Sequence, residues 1–187
     1  MGYTRVMRDS ESGFTLIETM IAVVVIAILA ALALPSFFRE SGKVKAASEV
    51  QPMFNDLRIR LEEYMQEHGV YPATIGETAM YPSVQPPPAW DLKTNALPAT
   101  WIAIKVLISG TDQLLCRYTW VTGLAGAIAN AGLMATTAAP AGFGFTAPST
   151  DWYYLLAKCN MDGDPATFSW YFTSSVDASL KKLNEGQ

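Results

Sequence analysis

Gly13-Phe14-Thr15-Leu16-Ile17-Glu18-Thr19-Met20, running on through Ile21-Ala22-Val23-Val24-Val25-Ile26-Ala27-Ile28-Leu29-Ala30-Ala31-Leu32-Ala33-Leu34, decides how this chain is built. No polar residue interrupts Met20 to Leu34. About 20 residues at roughly 1.5 Å each span the ~30 Å hydrocarbon core of a bilayer, so the stretch reads as a transmembrane helix. Its β-branched residues, Ile21, Val23, Val24, Val25, Ile26 and Ile28, do not argue for a strand. In lipid an open strand would leave its backbone groups unpaired, whereas a helix pairs them internally. A core helix of a soluble domain would show a polar face, and this one has none over four turns.

Glu18 is costly in such a segment. An acidic residue at mid-bilayer costs about 2.5–3.5 kcal/mol on insertion scales, and less near the interface. Two readings follow: an interfacial carboxylate reaching back to water, or one awaiting a positive partner. No Lys or Arg lies between Arg8 and Arg39. Cleavage after Gly13 would create a cation, the α-amino group of Phe14.

Gly13 to Glu18, with the apolar tract to Pro35, resembles the processing site of type IV prepilins and of the related pseudopilins of type II secretion. The resemblance implies that a membrane prepilin peptidase cuts after Gly13 and that the new N-terminal Phe14 is N-methylated. It implies that Glu18 neutralises the N-terminal amine of a neighbouring subunit during docking. The implied partners are the peptidase, the inner-membrane pilus assembly machinery, other pilin subunits in a helical filament, and membrane lipid before assembly. The implied locations are the inner membrane for the precursor and subunit pool, and the extracellular pilus after assembly.

The expected organisation is a leader at 1–13, a transmembrane and filament-core helix at 14–38, the amphipathic half of the same helix at 39–69, and a globular domain at 70–187. The leader is polar, so it is not an ordinary secretory signal. Prepilin leaders are usually basic; here Asp9 and Glu11 offset Arg5 and Arg8, and Arg39, Lys43 and Lys45 lie on the other flank. The cytoplasmic placement of the leader therefore rests on the resemblance and not on charge.

Pro35 removes a helical hydrogen bond and clashes with the preceding turn, at about 3 kcal/mol. It either ends or kinks the membrane helix, or serves as a planned weak point, the role the resemblance implies for it in assembly. Beyond it, Ala47, Val50, Phe54, Leu57, Leu61 and Tyr64 recur at helical spacing. Pro52 should bend this helix. His68-Gly69 marks its end, with Pro72 just beyond. Residues 61–72 also resemble the end of the pilin helix and its exit turn.

Pro82, Pro86, Pro87, Pro88 and Pro98 make 73–100 a surface loop, either a polyproline ligand or a rigid loop pinned by Trp90. Four strands are expected: Trp101–Ile108, Leu114–Thr122, Trp152–Cys159 and Thr167–Thr173, the last two joined as a hairpin through Asn160 to Pro165. The expected fold is α+β, a pilin fold with one long bent N-terminal helix packed on a four-stranded antiparallel sheet. Between strands two and three lies Gly123–Pro148. Its Ile128, Leu133, Met134, Phe143 and Phe145 either fold back on the sheet or face another subunit.

The net charge of −4 and the lack of a basic stripe argue against strong nucleic-acid binding. The lone His68 has no Ser or Cys motif beside it, so no enzyme is read here, and no glycine pattern points to a cofactor. Cys116 and Cys159 both fall in expected strands. They are either bridged or two buried thiols. A bridge would close a loop of about 44 residues and add ~3–4 kcal/mol in the chain-entropy model. Many pilins carry one C-terminal disulfide, with narrower spacing than this. Asp162 and Asp164 around Gly163 resemble a fragment of a calcium loop without the full ligand pattern. An Asp-Gly turn is the simpler reading.

The expected function is a major or minor pilin serving adhesion, motility or DNA uptake. The alternatives are a type II secretion pseudopilin and, in another class, a single-pass membrane-anchored periplasmic binding domain.

Overall fold

The computed structural model describes residues 14–76, 79–84, 90–92, 95–108, 113–126, 143–146, 148–161, 163–164 and 166–185. The chain divides into two compact units, Met1–Phe38 and Arg39–Gln187. Helix α1 (Leu16–His68) runs through both. It is followed by β1 (Trp90–Asp91), α2 (Ala99–Ala103), β2 (Gln113–Leu114), β3 (Cys116–Gly123), β4 (Trp152–Cys159), β5 (Ser169–Ser174) and β6 (Lys181–Leu183). Strands β3-β4-β5-β6 form an antiparallel sheet in that order, and β1 pairs with β2. The fold is α+β.

In the first unit, Leu16–Leu34 is long and apolar enough to cross a membrane, and none of it is buried within the chain. Pro35 does not end the helix; α1 continues past it and past Pro52 to His68. Gly69 closes it at φ +74°, donating its N–H to Met65 O at 2.8 Å. That left-handed conformation is one glycine adopts at no steric cost.

In the second unit, α1 buries Ala46, Val50, Met53, Phe54, Leu57 and Leu61. This is the expected face with Ala46 in place of Ala47, Met53 added and Tyr64 only half-buried. The stripe meets Tyr118, Trp120, Tyr153, Leu155, Ala157 and Tyr171 of the sheet, together with Trp101, Ile104 and Leu114. Full burial of one such side chain stabilises by about 1.5–3 kcal/mol. The opposite face of the sheet carries Val121, Trp152, Tyr154, Leu156 and Phe172, covered by Phe143 and Phe145. These two phenylalanines fold back on the sheet; Ile128, Leu133 and Met134 lie outside the described residues. Strand β4 is therefore buried on both faces, which is why it reads as a nearly continuous apolar run.

One expected strand is wrong. Within Trp101–Ile108, residues 101–103 belong to α2, and the fourth strand of the sheet is β6. Trp101 N–H and Ile102 N–H both bond to Pro98 O, at 2.9 and 3.0 Å. Trp101 and Ile104 are buried while Ile102 is exposed, a helical spacing and not an alternation. Lys105, at φ +56°, then breaks any extended path. Strand β6 escaped notice because it is short and opens with Lys181-Lys182, composition that suits an edge.

The free edge of β3 is occupied by the segment leaving α1. Tyr81 and Tyr118 exchange N–H···O bonds of 2.9 and 2.6 Å. Trp120 Nε1 donates to Ala73 O at 3.0 Å, and Thr122 N–H donates to Thr74 Oγ1 at 2.9 Å. The exit loop thus satisfies edge groups that would otherwise invite another strand.

Candidate functional site

Phe14 stands before α1 and is 82% exposed. Thr15 caps the helix. Its Oγ1 accepts the N–H of Glu18 at 3.3 Å, and its carbonyl accepts the N–H of Thr19 at 3.2 Å. Thr15-Leu16-Ile17-Glu18 is therefore the Thr-x-x-Glu signature of a capping box, with Glu18 at the third helical position. This was legible in the sequence and was missed there. A carboxylate in the first turn also complements the positive end of the helix dipole. Thr19 Oγ1 donates to Leu16 O at 2.8 Å, so its hydroxyl is satisfied within the apolar stretch.

Glu18 thus sits one turn from Phe14, on a helix with no Lys or Arg before Arg39. Its backbone N–H is held by the Thr15 cap, and its carboxylate stands at the third helical position. Capping leaves its negative charge available to a cation from outside the chain. Pro35 lies in the interior of α1. Gly13 lies outside the described residues, as does the rest of the 1–13 leader.

In the second unit, Cys116 and Cys159 are bonded across β3 and β4, where they stand directly opposite with Cα atoms 4.3 Å apart. The N–H of Tyr118 points away from β4 to Tyr81 O, and that of Cys116, two residues earlier, points to the same side. The cysteines are thus a non-hydrogen-bonded pair, whose side chains approach most closely in an antiparallel ladder. Asp164 accepts the N–H of Ala166 at 2.9 Å through Oδ1, and Asn160 bridges the turn to Gly163 N–H and Asp164 O. Asp164 is thereby a turn-former. Asp162 lies outside the described residues. Among the described residues no cluster of His, Cys, Asp and Glu could hold a metal ion.

Glu49, on α1, was not singled out from the sequence. It is half-buried and accepts hydrogen bonds from Leu115 N–H (2.7 Å), Cys116 N–H (3.0 Å) and Tyr118 Oη (2.7 Å). Burial raises its pKa above the usual carboxylate value, against the lowering effect of those three donors. A glutamate among other helix charges gives no sign in the sequence of reaching the sheet. It lines an open cleft of about 440 Å³ with Lys45, Pro52, Leu107 and Leu114.

The family model for the prokaryotic N-terminal methylation motif matches residues 8–34. Over 61 residues the chain is 41% identical to the type IV major fimbrial protein FimA of Dichelobacter nodosus, covering 33% of this chain and 37% of that protein. Over 66 residues it is 35% identical to the type IV major pilin protein PilE of Neisseria gonorrhoeae, covering 35% of this chain and 39% of that one. The matches thus span little more than a third of the relatives' own length. No solved structure matches the chain significantly. Residues 8–34 thus carry a prokaryotic N-terminal methylation motif, and the N-terminal third of the chain is similar to type IV major pilins, in a chain that also holds an exposed apolar helix and a four-stranded antiparallel sheet.

Proposed function

We propose that the chain is a structural subunit, a pilin, of a type IV pilus. The observation that carries this reading is the first helix: Leu16–Leu34 is apolar on every side and unburied, yet it begins with a carboxylate at Glu18 and carries the methylation motif. Such a helix needs lipid or other helices around it. In this reading the peptidase cuts between Gly13 and Phe14, the Phe14 amine is methylated, and the subunit waits in the inner membrane. Residues 14–38 then enter the filament core, where Glu18 pairs with the amine of a neighbour. Pro35 weakens the helix where it leaves the bilayer, and the unit from residue 39 onward forms the filament surface.

Mass spectrometry of the N-terminal peptide, from membranes and from material sheared off cells, tests this. The expected peptide begins at N-methylated Phe14 and is found in the sheared fraction. The same peptide confined to membranes would point to a pseudopilin. An intact leader in every fraction would overturn the reading and leave a membrane-anchored domain.

A further inference from the structure

Cys116 is fastened twice, to different elements. Its Sγ is bonded to Cys159 on β4, and its N–H is held by Glu49 Oε1 on α1 at 3.0 Å. The remaining donors to Glu49, Leu115 N–H and Tyr118 Oη, come from the same strand end. The amide of Cys116 faces the outer edge of β3, away from β4, and the amide of Leu115 precedes the β3–β4 ladder, so that ladder supplies neither with an acceptor. Without Glu49 they are donors lacking a partner. Without them, Glu49 is a half-buried carboxylate left with one hydroxyl donor within the chain, and a charge partly removed from water is costly unless it is hydrogen-bonded.

We propose that Glu49 and the Cys116–Cys159 bond form a single redox-sensitive latch between α1 and the sheet. Glu49 is the positioning residue: it holds the end of β3 so that Cys116 faces Cys159. The bond in turn keeps the two amides presented to Glu49. Coupling of this kind is reciprocal, so whatever loosens one fastening loosens the other by the same factor. Reduction by a dithiol opens the latch. A thiolate of the reductant attacks one sulfur, the mixed disulfide is resolved by the second thiol, and Cys116 and Cys159 each gain a proton and an electron while the reductant leaves as a cyclic disulfide. The strand end then regains its freedom and the grip of α1 on it weakens.

The test uses the full chain in detergent micelles. The first readout is the rate of disulfide loss in dithiothreitol, followed by alkylation of the freed thiols. It compares the parent chain with Glu49→Gln, and with Glu67→Gln as an exposed carboxylate on the same helix. The second is hydrogen exchange at the amides of Leu115 and Cys116, before and after reduction of the parent chain. Glu49→Gln should be reduced at least about tenfold faster with Glu67→Gln unchanged, and reduction should cost the two amides about tenfold in protection. A parental reduction rate in Glu49→Gln, or full protection of both amides after reduction, would overturn the latch. Should Glu49→Gln fail to fold, exchange in the reduced parent chain decides alone.

Discussion

The indole of Trp152 lies across Gly123, its partner in the β3–β4 register, so closely that a Cβ at position 123 would overlap Cζ2 and Cε2 of the ring. Both residues sit at the end of the ladder, and Trp152 is fully buried. Gly123→Ala should therefore force the ring or the strand to shift and cost about 1–3 kcal/mol. All five tryptophans lie beyond residue 39, so denaturant unfolding followed by tryptophan fluorescence reports on that unit. In a Trp152→Ala background the same substitution should cost much less, because the clash is gone. Equal costs in both backgrounds would show that the close approach does not matter.

Leu57 and Ile59 stand two residues apart on α1. Leu57 is fully buried and Ile59 is 56% exposed. Leu57→Ala should cost about 2–5 kcal/mol, because it removes contacts and leaves a cavity. Ile59→Ala should stay within about 0.5 kcal/mol. Comparable losses at both positions would mean that the packed face of α1 has been assigned wrongly.

The capping box separates two roles of Glu18. Gln can replace Glu at the third position of such a box, whereas Ala cannot. Glu18→Gln should preserve the helical content of the chain in micelles but impair incorporation into filaments as severely as Glu18→Ala. Normal incorporation of Glu18→Gln would show that capping, and not charge, is what assembly requires of this residue.

Glu49 makes stability depend on pH with an unusual sign. Burial raises its pKa in the folded chain above the unfolded value of 4.5. Between those two values the folded chain binds a proton that the unfolded chain does not. Its contribution therefore falls as pH rises through that window, and is level above the folded pKa. The stability of the parent chain relative to Glu49→Gln should decline as pH is raised from 4.5 toward neutrality. Urea midpoints across that range measure it, and a difference that is constant or increases with pH would contradict the assignment.

Much of this molecule was written in local pattern. The unbroken apolar run after Glu18 dictated a membrane-competent helix, since nothing in it could face water on any side. The spacing of Val50, Phe54, Leu57 and Leu61 marked the packed face of α1, and the β-branched and aromatic run Trp152–Cys159 marked the central strand. Thr15 and Glu18, three residues apart, carried the cap in plain view. Contacts between distant residues could not be read in this way. Trp101–Ile108 has strand-like composition, but Pro98 starts a helical turn and the core takes Trp101 and Ile104 from it. Lys181–Leu183 becomes a strand only because β5 offers its edge. The union of Cys116 with Cys159 required a register that places them face to face. Glu49 could be picked out from the other helix charges only once folding had brought the start of β3 against α1, some 66 residues along the chain. Periodicity records which side of an element is apolar; which partner that side meets is settled by packing across the whole chain.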